Sequence, residues 1–251
     1  MLVFVVPLKS ARVAGSWDRV TRLVERTIRS ALAQTVPDVR VIVACHEIPE
    51  VAVDDPRVEF LPVDFPPPAD ATNLVTRRYD KWQKTLRALR RVRTVGASHV
   101  MILDADDCVS NRLAGHVARF PSANGWCFRR GYFHREGMRT VHKERFRFHK
   151  WCNSSHIVRT DLLDVPAGPD ERWRLLHTTL AEDMRARGTP LVPLPFPGAV
   201  YNVSHGDNYT DYSPILWPGN PFHRWLRALV FSRRLTPAIR AEFGLYPLPD
   251  L

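Results

Sequence analysis

An apolar run, Val100-Met101-Ile102-Leu103, stops abruptly at Asp104-Ala105-Asp106-Asp107. Four consecutive apolar residues read as a strand buried on both faces, and such strands belong to α/β sheets covered by helices. Carboxylates at the carboxyl end of such a strand lie on the rim where α/β folds bind ligands. Three acids within four positions repel one another unless a positive charge sits among them. A hard divalent cation held through oxygens is the simplest candidate. The plainer alternative is a solvated turn, with Ser110 or Asp107 capping a helix from about Asn111.

The elements before this strand support an α/β sheet. Residues 2–6 read as a strand, and Ser16 is placed to cap a helix from about Trp17 to Gln34. Val20, Leu23, Val24, Ile28, Ala31 and Leu32 share one face of that helix, and Pro37 closes it. Val39 to Ala44 and Val58 to Val63 read as the next strands, and strand-helix-strand order implies a right-handed crossover with parallel pairing. Pro62, Pro66, Pro67 and Pro68 make a stiff loop before a basic helix over roughly Asn73 to Val92.

Beyond Asp107 the pattern loosens. Short strands are expected at Trp126–Phe128, Tyr132–His134 and within Phe146–Trp151, with a strand-helix pattern over Ile157–Leu163. Glu171 to Arg187 reads as a helix, followed by strands at Leu191–Leu194 and Ala199–Val203. A Pro/Gly-rich stretch from Ser213 precedes a last helix. Phe222, Trp225, Leu226, Leu229 and Val230 form its apolar stripe, flanked by His223, Arg224 and Arg227. That stripe suits docking on the chain's own core, and it also fits weak attachment to an anionic membrane surface.

Composition narrows the class. The chain has 251 residues, 45% of them hydrophobic, enough for a large core. No window approaches the roughly 18 apolar residues of a membrane span, and the start lacks the basic and small-residue flanks of a signal peptide. Cys45, Cys108, Cys127 and Cys152 form no CxxC pair, which argues against structural zinc and for reduced thiols in a cytoplasmic protein. The net charge of +10 is concentrated between Arg77 and Arg93 and again between Arg129 and Lys150. Such surfaces suit a nucleic acid, a nucleotide diphosphate or an anionic membrane face, although a merely solvated basic surface has the same composition.

Two segments carry a family resemblance. Ser30-Ala-Leu-Ala-Gln-Thr-Val-Pro-Asp-Val-Arg-Val-Ile-Val resembles the first helix and second strand of the inverting glycosyltransferases of family 2. Met101-Ile-Leu-Asp-Ala-Asp-Asp, about seventy residues further on, resembles that family's DxD motif. The likeness is clear over roughly residues 1–115 and faint beyond. It implies an α/β GT-A fold, Rossmann-like and nucleotide-sugar-binding, with a mostly parallel central sheet flanked by helices. Residues 1–115 would form the nucleotide-sugar half, 116–212 the acceptor-side half and 213–251 an extension.

The resemblance also implies roles. A nucleotide-sugar donor, with a UDP-sugar favoured, would be held with Mn2+ or Mg2+. Asp106 would ligate the metal, Asp104 would contact the metal or the ribose, and Asp107 would orient the site. Ala105 lies between them in the donor-binding turn. His205, before Gly206 in a late loop, is the candidate third ligand. Glu182-Asp183 stands for the family's base pair, with Asp183 preferred because helical phase sets it beside Leu180 and Met184, where partial burial would raise its pKa. The segment after this pair, Met184-Arg-Ala-Arg-Gly, is shorter than the family's. Cys45-His46-Glu47 replaces the family's acidic turn, leaving Glu47 for base recognition. Pro7 and Lys9 end the first strand, with Lys9 toward a phosphate. Lys81 and Lys84, one helical turn apart, would face the diphosphate, and Asn153 and Ser154 would border the donor sugar.

The expected activity is transfer of a sugar to a hydroxyl of a glycan or lipid-linked acceptor, in the cytoplasm or peripherally at the inner membrane face. A retaining transferase of the same fold is one alternative. A basic nucleic-acid-binding module is the alternative of another class. No nucleic acid is expected as a partner, because the aromatic-interleaved motifs of RNA readers are absent.

Overall fold

A computed structural model describes residues 1–163, 165, 178–203 and 231–248. Its frame is an α/β sheet in the order β10-β6-β9-β4-β1-β2-β3. The centre is β1 (Leu2–Pro7), parallel to β2 (Val39–Cys45) on one side and to β4 (His99–Ile102) on the other. β3 (Val58–Pro62) extends the parallel set at one edge. On the other side β9 (His156–Arg159) runs antiparallel to both β4 and β6 (Gly125–Cys127), and β10 (Val192–Pro193) closes that edge parallel to β6. Gly125 permits this pairing: its φ is 133°, and a Cβ there would lie 2.0 Å from the carbonyl oxygen of Ile157.

Alternation along β1 explains the layers. Leu2, Phe4 and Val6 face one core with α1 (Trp17–Leu32), whereas Val3 and Val5 face the other with α2 (Leu74–Thr94). Ser16 caps α1 through its hydroxyl, which accepts from the N–H of Arg19, and Asn73 caps α2 by accepting from Val75 and Thr76. All four cysteines are buried and free. Among the described residues no helix is long and apolar enough to cross a membrane.

A second, smaller sheet has the order β12-β8-β7-β11-β5. It combines β5 (Cys108–Val109), β7 (Gly131–Arg135), β8 (Thr140–Glu144), β11 (Ala199–Val203) and β12 (Ser232–Arg234). Helices α3 (Leu113–Arg119), α4 (Leu180–Ala186) and α5 (Pro237–Phe243) complete the described residues. The helix after the acid turn starts later than its sequence suggests. Its cap position is Arg112, without a side-chain cap, while the Ser110 hydroxyl accepts from the N–H of Arg112 and donates to Glu242. The strand expected within Phe146–Trp151 is a 3-10 turn, Phe148–Lys150. Of the helix expected over Glu171–Arg187, only α4 and the residues flanking it are described. The stretch from Ser213 and the amphipathic segment Phe222–Val230 lie outside the described residues.

The two sheets are joined by a buried charge. Arg26, in the middle of α1, is fully buried; its Nη1 is 2.8 Å from Glu136 Oε2 at the β7–β8 turn and donates to the carbonyl of Tyr246. Removing one partner of a buried pair leaves the other desolvated and unpaired. Arg26→Met is expected to cost about 3 kcal/mol in urea denaturation, with part of the loss recovered when Glu136→Gln is added.

Candidate active site

The carboxyl ends of β1, β2 and β4 lie at one end of the sheet. The chain leaves β1 toward β2 on one side and returns on the other side as β4, so the crevice between β1 and β4 is the topological switch point, where open α/β sheets bind ligands. Pro7 is buried as the last residue of β1, and Lys9 follows it half-buried. Ser10 then caps a short 3-10 turn, Ala11–Val13. Glu47, after β2, braces that turn: Ser10 Oγ donates to Oε1 at 3.0 Å and the N–H of Ala11 donates to Oε2 at 3.1 Å. Both carboxylate oxygens of Glu47 are thus engaged in holding the loop.

The acid turn follows β4 directly. Asp104 keeps its side chain partly open at the rim; its Oδ1 is 2.7 Å from Lys81 Nζ and accepts from Asn153 Nδ2 at 2.8 Å. Ala105 and Asp106 are half-buried beside it. Asp107 points inward and is fully buried. Its Oδ2 accepts from Ser154 Oγ at 2.6 Å and from the Cys152 thiol, and its Oδ1 accepts from the N–H of Asn202 at 3.1 Å. Burial first, and then Asp106 and Asp104, push its pKa well above the carboxylate range. Ser154 is a two-way link, since its hydroxyl also accepts from the N–H of Asp104 at 2.9 Å.

This geometry corrects two expectations. Ser154 is buried and engaged on both sides of the acid turn, so it supports Asp104 and Asp107 rather than touching a donor sugar. Lys84 does not share a face with Lys81 at a diphosphate. Its side chain is 0% exposed, and Nζ donates at 2.8 Å both to the carbonyl of Leu8 and to Asp80 Oδ2. Burial lowers its pKa, against the opposing pull of Asp80. Asp80 Oδ1 in turn lies 2.8 Å from His46 Nε2, so this chain ties α2 to the ends of β1 and β2. Lys81 alone of the pair reaches the acid turn.

The helix α4 carries Glu182 and Asp183. Leu180 and Met184 are buried, yet both acids are exposed, so Asp183 lacks the partial burial expected of it. Asp183 Oδ2 accepts from Thr179 Oγ1 at 2.8 Å. Glu182 is 2.7 Å from Lys150 Nζ, and that hydrogen bond lowers its pKa. His205 lies outside the described residues. Among the described residues no three His, Cys, Asp or Glu side chains converge as a metal cage.

Sequence reasoning missed Asn202, whose Nδ2 also donates to the carbonyl of Asp106. The signal was a lone amide inside the apolar strand Ala199–Val203, because a buried polar side chain requires partners. Asp80 was also missed; its signal was the i, i+4 spacing from Lys84.

No family model and no curated protein matches the sequence. Among solved structures, S. aureus TarS 1–349 matches with a TM-score of 0.50 at 12% identity, covering 80% of this chain and 60% of that one. TarS 1–349 in complex with UDP matches with a TM-score of 0.50 at 13% identity, covering 92% and 66%. The fold is GT-A. The chain spans less than two thirds of the TarS segment that it matches.

Within this GT-A frame the acid turn depends on Ser154. Ser154→Ala would leave Asp107 without its shortest donor and the N–H of Asp104 without its acceptor. Leaving such buried groups unpaired costs about 2–3 kcal/mol, measurable as a drop in the urea midpoint at unchanged slope.

Proposed function

We propose that the chain is a metal-dependent glycosyltransferase. It moves a sugar from a nucleotide-diphosphate donor, UDP-linked by preference, to a hydroxyl of a glycan or lipid-linked acceptor. The observation that carries this reading is the acid turn braced at the β1–β4 switch point, with Lys81 on Asp104, in a fold shared with a protein whose structure holds UDP. The free, buried thiols fit a cytoplasmic enzyme, at most peripheral to the inner membrane face.

The donor set fits a hard cation. Asp104 and Asp106 offer two neighbouring carboxylates on the half-buried rim of the turn. Mg2+ and Mn2+ take oxygen ligands, and Mg2+ is commonly bound by one or two carboxylates completed by substrate phosphates and waters. Asp104 and Asp106 would hold the ion, which when bound supplies positive charge to the departing diphosphate. Lys81 adds a second positive charge beside the same group. Pro7, Lys9 and the Glu47-braced turn line the nucleotide side, and Asn153 lines the sugar side while orienting Asp104.

The reaction is displacement at the anomeric carbon with inversion. The acceptor oxygen forms the new C–O bond, its proton passes to a carboxylate on α4, and the bond to the diphosphate breaks with the electron pair leaving on the nucleotide. Asp183 is the better base, for a reason other than burial: Glu182 is held by Lys150, which weakens it as a proton acceptor.

Two measurements test this. Asp106→Asn should retain the fold and abolish Mn2+-dependent UDP binding in calorimetry, and unchanged binding would remove the metal assignment. Asp183→Asn should reduce the rate by roughly 10²–10⁴, the scale of a lost general base, with UDP affinity unchanged. A product of retained anomeric configuration would replace inversion with the retaining mechanism.

A further inference from the structure

Both basic runs of the sequence combine engaged cations with open ones, Arg78 and Arg87 being exposed on α2. On α2, Lys84 is buried against Asp80, Lys81 meets Asp104, Arg91 meets Glu59, and Arg93 donates to the carbonyl of Leu163. In the run after β6, Lys150 meets Glu182, but three arginines near it stay open. Arg129, Arg145 and Arg147 are exposed, and among the described residues no carboxylate pairs with their guanidiniums.

Two of these cations, Arg129 and Arg147, flank one imidazole, and the N–H of Phe148, next to His149 in the chain, donates to the carbonyl of Arg129 at 3.2 Å. The pKa of His149 is lowered by burial first and then by Lys150, Arg129 and Arg147, while Glu182 acts the other way. Its Nδ1 is buried and has no hydrogen-bond partner. The rim is also held by hydrogen bonds. Glu144 Oε1 accepts from the N–H groups of Arg145, Phe146 and Arg147 at 2.9, 2.9 and 3.2 Å, which fixes the tip and leaves the Phe146 ring 66% exposed.

The rim leads directly to the candidate active site. Lys150 Nζ donates to the carbonyl of Thr178 and to Glu182 at α4, and Asn153, three residues later, holds Asp104. An anion seated here would lie along one chain segment between the acid turn and α4. We propose that this rim binds a phosphate group, monoester or diester, carried by the sugar acceptor. The enzyme therefore takes an anionic rather than a neutral glycan, a statement that rests on the transferase reading above.

Chemistry favours this occupant. Guanidiniums match phosphate oxygens in a planar fork. Phe146 offers an apolar face to a sugar ring next to the phosphate. A lipid bilayer is a poorer fit, since one exposed ring supplies little of the apolar face by which surface helices hold a membrane.

The test uses the full chain, with calorimetry against inorganic polyphosphate, against UDP with Mn2+, and with sedimentation on phosphatidylglycerol vesicles. Arg129→Gln/Arg147→Gln should weaken polyphosphate binding about tenfold and flatten its salt dependence, with thermal stability and UDP affinity unchanged. A control removing equal charge from the exposed face of α2, Arg78→Gln/Arg87→Gln, should leave polyphosphate binding within about twofold of the original. Equal losses in both variants mean nonspecific attraction and overturn the site. So does vesicle binding that depends on Arg129 and Arg147 when polyphosphate binding does not. UDP is read separately: its failure to bind the unaltered chain overturns the donor reading, whereas polyphosphate binding lost only with Arg129 and Arg147 upholds the phosphate site.

Discussion

Asp107 is a carboxylate with no exposed surface, and the position of the acid turn depends on it. A buried carboxyl group costs free energy unless hydrogen-bond partners surround it. Here the donors come from two separate places, the Cys152–Ser154 segment before β9 and the backbone of β11. β9 belongs to the large sheet and β11 to the small one. The same carboxylate that fixes the turn therefore also fixes how the two sheets meet. Ser154 extends the constraint one step outward by accepting from the N–H of Asp104, so the rim carboxylate is positioned by the buried one.

A second chain of polar contacts sets the opposite wall. His46, Asp80 and Lys84 run from the end of β2 through α2 to the carbonyl of Leu8 at the end of β1. Lys84 is fully buried, so this link adds little net stability over an apolar side chain. What it supplies is register. Lys84 reaches Leu8 only when α2 lies in one position along the sheet, and that position carries Lys81, less than a turn earlier, to Asp104. A structural lysine and a site lysine thus share one helix, and the first determines where the second points.

The first half of the fold was legible because each element there obeys a single local rule. Strands β1, β2 and β4 are apolar on both faces, Ser16 caps α1, and Asn73 caps α2, so their expected limits fall close to the observed ones. The second half follows tertiary rules instead. β8 was missed because Thr140-Val-His-Lys-Glu has one aliphatic residue and is held by pairing with β7 and β12. The segment after it was read as a strand from its aromatics, yet Glu144 draws three successive amides onto one oxygen and turns the chain. The rim position of Asp104 follows from its place after β4, and Lys81 reaches it from α2. Lys84 and Ser154 were misread because spacing does not tell a side chain that faces the rim from one that passes beneath it. Asp183 shows the converse error: helical phase placed it near an apolar stripe, but α4 has seven residues, too few to cover its flank.

The charge of +10 acquires meaning only from this architecture. On α2, Lys81, Lys84 and Arg91 are engaged by Asp104, Asp80 and Glu59, while Arg78 and Arg87 stay exposed. After β6, Arg129 and Arg147 are exposed near His149, and Lys150 is paired with Glu182. Between the two runs lies the acid turn, a local concentration of negative charge in a positive surround. Such an arrangement draws anions toward the crevice from a distance, where unscreened charge acts, and repels them from the turn itself unless a cation is already there. An anionic molecule meeting the rim is held close to the turn without entering it. On the proposed reading, a donor phosphate enters together with its metal ion. Two negatively charged molecules then occupy neighbouring positions in one cleft without competing for the same place, which is the arrangement a transfer between them requires.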